Sequence, residues 1–172
     1  FLFSLALQLS SCSMHSNQYE YLKNMILSED NQNKPKKNWA ANWLGSKIEL
    51  YAVNIQDQII FADERINIFY KDMQIYKITG LLTEDSNLEI EFKDDSLIYF
   101  FDDRKIGVDY CESSYSLTFD KKSEKHSRSC YEGESGKIYE NQVVFNSEGL
   151  IISMQFKIHP SYPLLQLSTN IK

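Results

Sequence analysis

The side chains with the widest chemical reach in this chain are three cysteines, Cys12, Cys111 and Cys130, and three histidines, His15, His126 and His159. Carboxylates are plentiful. One basic segment, Lys121-Lys122-Ser123-Glu124-Lys125-His126-Ser127-Arg128-Ser129, stands out on a chain whose formal charge is −6. A structural metal centre needs closely spaced thiolate or imidazole ligands. There is no C-x-x-C pair, and the histidines are scattered. Catalysis needs an activated nucleophile or a paired acid and base. Ser161 and His159 are too close in sequence, and too near proline, to make a triad by themselves. Asp94-Asp95 and Asp102-Asp103 are turn residues before they are ligands. The sequence therefore assigns no catalytic residue, no metal and no cofactor. The basic segment is a candidate binding patch, with Lys121, Lys122, Lys125, His126 and Arg128 offered to lipid phosphates, an acidic partner or a glycan strand. A solvated loop explains the same residues. Nucleic acid is excluded as a partner by the acidic balance, since phosphate binding draws on clustered Lys and Arg over a whole face.

Cys12 has a context of its own. Phe1-Leu2-Phe3-Ser4-Leu5-Ala6-Leu7-Gln8-Leu9 is uncharged and apolar, too short for a permanent membrane helix but suited to a signal-peptide h-region. Leu9-Ser10-Ser11-Cys12 resembles the lipobox of bacterial lipoproteins, an aliphatic residue three before the cysteine with small residues between. The resemblance implies that residues 1–11 are a signal peptide removed before Cys12. It also implies a diacylglyceryl thioether on the Cys12 sulfur and an acylated amino group. One acyl chain binds a membrane marginally, while two or three hold it stably. The membrane is then a partner through the lipid anchor. In the sorting rule that comes with this resemblance, Asp after the cysteine retains a lipoprotein in the inner membrane. Ser13 stands there instead, which implies the outer membrane with the domain facing the periplasm, or displayed at the surface.

Export also bears on the other two cysteines. With Cys12 lipidated, Cys111 and Cys130 have only each other in an oxidising compartment, so a disulfide is expected. Two free thiols or a metal site are the alternatives.

The elements that must position these residues are mostly strands. Residues 12–38 form a lipidated tether, polar throughout its second half, with one short helix expected from Asn17 through Ile26. Asn38-Trp39-Ala40-Ala41-Asn42-Trp43-Leu44-Gly45 reads as a capped helical turn, with both tryptophans on one face as an aromatic plug. Beyond it, Leu88–Lys93 and Ile152–Ile158 alternate strictly between apolar and polar residues. Weaker alternation recurs at residues 47–53, 66–70, 74–78, 106–110, 115–119 and 142–145. Leu97-Ile98-Tyr99-Phe100-Phe101 is apolar on both faces. The basic segment falls as the loop after residues 115–119, and Pro160 and Pro163 interrupt pairing before a last edge strand. The expected body, residues 39–172, is a mostly β domain. It is a single antiparallel meander of eight to ten strands, forming a barrel or a strongly curled sheet.

Two functions fit that body. One is a non-catalytic envelope lipoprotein with a structural or protein-binding role, its partner another envelope protein. The other is a carrier or receptor for a lipid or other apolar ligand. Its architecture would be similar in outline to lipocalins and to the lipoprotein-accepting half-barrel of the outer membrane. A lipocalin would place Gly-x-Trp at its first strand. Here the order is Trp43-Leu44-Gly45, so no residue roles carry over. Labelled fatty acid is expected to enter the wild-type protein and not Cys12→Ala. Equal labelling of both, or of neither, overturns lipidation at this residue.

Overall fold

Alternation of apolar and polar residues, punctuated by short turns, produces strands throughout residues 37–170, the part of the chain described by the computed structural model. Cys12, the signal peptide and the tether helix expected at residues 17–26 lie outside the described residues. The strands are β1 (Trp39–Trp43), β2 (Ser46–Ile55), β3 (Gln58–Ala62), β4 (Asn67–Lys71), β5 (Gln74–Thr79), β6 (Asn87–Lys93) and β7 (Ser96–Phe101). They continue as β8 (Arg104–Cys111), β9 (Ser116–Asp120), β10 (Ser123–Glu132), β11 (Ile138–Asn146), β12 (Ile151–Phe156) and β13 (Leu165–Thr169).

Each strand pairs antiparallel with the next from β1 to β8, then β8 with β10, β10 with β11, and on through β12 and β13 back to β1. Twelve strands thus close a barrel, and closure leaves no open edge within that ring. β9 stands outside it. It continues the line of β8 along the same edge of β10, pairing Ser116 with Ser127 and Asp120 with Ser123.

The hairpins explain how so many strands fit in so few residues. Leu44-Gly45, Asp72-Met73, Asp94-Asp95 and Asp102-Asp103 are two-residue turns in which both residues have positive φ. That is the type I′ geometry whose twist matches the strands it joins, and Asp tolerates it better than most residues. Leu44-Gly45 and Asp102-Asp103 lie at one end of the barrel, termed upper. Asp72-Met73, Asp94-Asp95 and the β9–β10 turn lie at the lower end.

The barrel interior is filled by its own side chains. Leu50, Phe61, Ile68, Ile75, Ile78, Leu88, Leu97, Tyr99, Met154 and Phe156 are inaccessible or nearly so. Trp39 packs edge-on against Phe61 with ring centroids 4.7 Å apart. The outer surface carries polar cross-strand pairs such as Lys77–Glu89, Lys125–Glu140 and Gln155–Gln166. A lipid-spanning barrel has the opposite arrangement, apolar outside. At the upper end, residues 157–164 fold over the rim. Pro160 lies where a Cβ on Gly107 would come within 2.8 Å, and Trp43 Nε1 donates to the Pro163 carbonyl at 2.9 Å.

The fold class is as expected, with three further strands: β1, β3 and β10. The stretch expected as a helical turn is β1 and its hairpin. Residues four apart share a face in a strand as well as in a helix, so the tryptophan spacing fits both. Pairing with β13 and β2 decides it. The basic segment expected as a loop is a turn followed by β10. Its residues are polar on both faces, so period two leaves no hydropathy trace.

Cys111 and Cys130 face each other across β8 and β10 and form a disulfide with a sequence separation of 19. Peptide mapping without reductant is expected to find their segments joined. The double variant Cys111→Ala/Cys130→Ala should lose about 3 kcal/mol of unfolding free energy. Two free thiols in protein taken from the envelope would overturn the pairing.

Candidate functional site

Polar chemistry inside the barrel concentrates where β8 meets β10. Register places Gly107, Asp109 and Cys111 on the inward face of β8. Asp109, 1% exposed, is held by three donors. Its Oδ2 accepts the hydroxyls of Tyr99 at 2.9 Å and Tyr139 at 2.7 Å. Its Oδ1 accepts the backbone N–H of Gly133 at 3.1 Å. The two phenol oxygens are 3.1 Å apart. Gly133 is needed for this approach, because a Cβ there would meet the Val108 carbonyl oxygen at 2.2 Å.

A second group adjoins the first. Lys157, 6% exposed, donates to Glu132 Oε1 at 2.7 Å, and its backbone N–H donates to Asn141 Oδ1 at 2.8 Å. Asn141 in turn points its amide at the Cys130 sulfur. The Lys157 ammonium lies 5.6 Å from the centre of the Tyr139 ring. Asp109, Glu132 and Lys157 line a cleft of about 470 Å³ at the upper end, together with Gly107 and Pro160.

The electrostatics follow from burial and these partners. Desolvation, reinforced by Tyr139 and Asp109, pushes the Tyr99 phenol far above its usual range. Tyr139 is driven up by desolvation, opposed by its contact with the Tyr99 hydroxyl and reinforced by Asp109. The Lys157 hydrogen bond, then that from Ser135, lowers the Glu132 carboxyl. Phenols held this high are neutral hydrogen-bond donors at any physiological pH, and Lys157 is occupied by Glu132. The arrangement is closed on itself, and its chemical capacity is to hold β7, β8, β10 and β11 in register.

The residues singled out from sequence are dispersed. Lys121 and Lys122 are exposed at the β9–β10 turn. Lys125 faces outward and pairs with Glu140 at 3.2 Å. His126 lies on the opposite face of β10, bonded to Glu124 at 2.6 Å and edge-on to Phe145. Arg128 shares that face but is 8% exposed, between the rings of Phe92 and Tyr115. Strand alternation separates Lys125 from His126 and Arg128, so the five do not make one surface. Among the described residues, no group of three or more His, Cys, Asp or Glu is placed to hold a metal ion.

Tyr99, Asp109, Glu132, Tyr139 and Lys157 were not identified from sequence. For Asp109 a signal exists: it is in phase with Gly107 and Cys111, a charge on the side of the strand that carries a buried cysteine. Lys157 gave the opposite signal, since it occupies a polar position of the alternating run Ile152–Ile158.

No family model and no curated protein matches the sequence. Among solved structures the chain is similar in fold to the hypothetical lipoprotein YmcC from Escherichia coli (K12). The TM-score is 0.57 at 9% identity, with 88% of this chain and 95% of that chain covered.

His159, in the segment that folds over the upper cleft, gives a pH test. Desolvation, then the Lys157 charge, holds its imidazole below the ordinary value. Its Nδ1 also accepts the Ser161 N–H at 3.1 Å, which protonation would abolish. A group depressed by folding contributes stability that is present above its unfolded value, about 6.5 for histidine, and lost as pH falls through the folded one. Thermal melts of the wild type are therefore expected to drop in Tm on acidification from about pH 7 to pH 5.5. His159→Gln should flatten that segment, and identical profiles would refute the assignment.

Proposed function

We propose that this protein is a lipid-anchored lipoprotein of the cell envelope. In this reading it is attached to the outer membrane through Cys12, with the barrel in the periplasm as a non-catalytic module that holds another envelope protein. The observation that carries the binding role is the contrast between a filled interior and one exposed row of large side chains on an outer surface that elsewhere carries polar cross-strand pairs. Tyr110, Tyr131 and Ile138 are cross-strand neighbours on the outward faces of β8, β10 and β11. They are 44%, 49% and 75% exposed, and the two tyrosine rings stack with centroids 5.2 Å apart. Large amphipathic aromatics left in contact with water on a rigid sheet are the side chains that most often anchor a protein interface.

The fold shared with a hypothetical lipoprotein supports the envelope assignment, and the lipobox resemblance at Leu9-Ser10-Ser11-Cys12 supports the anchor. The carrier reading gains nothing comparable. A carrier needs an apolar cavity to enclose its ligand, whereas the middle of this barrel is occupied by Phe61, Tyr99 and Phe156.

A photo-crosslinking residue at position 138 is expected to capture one defined envelope protein in cells. The double variant Tyr110→Ser/Tyr131→Ser should cut that yield at least tenfold without lowering Tm by more than a few degrees. Crosslinks to lipid alone, or none, would overturn the protein-binding role. Recovery chiefly with the inner membrane would overturn the outer-membrane location.

A further inference from the structure

The lower mouth of the barrel holds a second cleft, of about 300 Å³, formed by the β4–β5 turn, β5, β6 and β10. Its lining includes Gln74, Tyr76, Ile90, Phe92 and Arg128, with Lys71 and Asp72 at the turn. Arg128 is the feature that sets it apart. Its guanidinium lies 4.0 Å from the centre of the Phe92 ring and 4.1 Å from that of Tyr115. Tyr115 is itself fixed, because its hydroxyl donates to the Met73 carbonyl at 2.7 Å. Two rings therefore stabilise the cation. They do nothing for its N–H groups, which lie at the edge of the guanidinium plane.

Those N–H groups have no acceptor among the described residues. Nε is buried and unpartnered, and no carboxylate is in ion-pair distance of the side chain. Lys71 differs, since Asp57 pairs with it. Gln74 presents the complementary vacancy. Its Nε2 donates to the Ile75 carbonyl at 2.9 Å, which fixes the orientation of the amide, and its Oε1 is buried without a donor. Both side chains are 8% exposed. Burying a charge or an amide oxygen without a hydrogen-bond partner is costly. Here a cationic donor and a neutral acceptor are left without partners on two side chains that line one cleft, beside apolar rings.

We propose that this cleft is a binding site for a carboxylate whose neighbouring carbon bears an N–H or O–H donor, such as an N-acyl amino acid. The carboxylate lies edge-on to Arg128, the geometry a guanidinium favours. The adjacent amide N–H donates to Gln74 Oε1, and the side chain of the acid packs on Phe92 and Ile90. A small free acid and the C-terminus of a peptide share this chemistry. The site is distinct from the outer aromatic row and does not rest on it.

The test uses the full chain and N-acetylphenylalanine as probe, followed by calorimetry and by the shift in Tm. Saturable one-to-one binding is expected, with at least tenfold weaker binding of N-acetylphenylalaninamide, which lacks the carboxylate. Arg128→Gln should weaken binding at least tenfold. Because that variant exposes the fold to risk, Gln74→Met is the second. It removes the open acceptor and should weaken binding while leaving the Tm of the free protein unchanged or higher. A peptide ending in phenylalanine that binds tenfold tighter than the single residue assigns a chain end as the source. Equal or weaker binding of the peptide assigns a free acid. Acid and amide binding equally, inorganic phosphate competing as well as the acid, or no binding at millimolar probe would each overturn the proposal. None of these readouts depends on lipidation or on capture of an envelope protein.

Discussion

The structure depends on how the barrel closes between β8 and β10. Elsewhere neighbouring strands are joined by hairpins or by ladders of several residues. At this seam only Asp109, Tyr110 and Cys111 of β8 pair with Glu132, Tyr131 and Cys130 of β10. So short a ladder contributes few hydrogen bonds against the entropy of bringing the strands together. Each inward pair at the seam is therefore reinforced. Cys111 and Cys130 are bonded covalently. Asp109 gathers hydroxyls from β7 and β11 and an N–H from the turn after β10. Without the seam the sheet would open, presenting two unpaired edges of the kind that invite association with other chains.

A closed ring determines what the inside and the outside can do. Alternation sends one residue in two inward, and the bulk of Trp39, Phe61, Tyr99 and Phe156 fills the space. Recognition is thereby displaced to the outer faces and the two ends. At the outer face, the seam itself provides Tyr110 and Tyr131, whose register as direct partners brings the rings together. The same short ladder that needs a disulfide on its inner side carries stacked aromatics on its outer side.

The two ends have opposite characters for a physical reason. The segment 157–164 follows β12 over the upper rim, where Gly107 leaves room for Pro160. Lys157, Glu132 and the Asp109 group beneath it satisfy one another. At the lower end the Tyr115 side chain reaches the Met73 carbonyl at the β4–β5 turn, and its ring lies against Arg128. β9 runs on past the β6–β7 turn, paired on one side only, and Tyr115 just before it supplies one wall of the guanidinium slot. Two of the three buried polar atoms without a partner among the described residues, Gln74 Oε1 and Arg128 Nε, are found there, and the third, Asn87 Oδ1, lies beside the Asp102 turn at the upper end.

The sequence by itself determined the strand-rich class, the closely spaced turns, and the candidate pairing of Cys111 with Cys130. These rest on local period, on residues that tolerate positive φ, and on a count of thiols, none of which needs a partner to be known. It also placed Lys125, His126 and Arg128 in one basic segment. Only the tertiary structure separated them, because a strand turns adjacent residues to opposite sides and the register then decides what each one meets. It likewise decided that Trp39–Trp43 is a strand. Spacing of four leaves helix and strand equivalent until β13 and β2 supply hydrogen bonds on both sides. The partners of Asp109, and the vacancy at Gln74, were beyond reach for the same reason. Whether a carboxylate finds three donors, or an amide oxygen finds none, depends on residues distant along the chain that closure alone brings together.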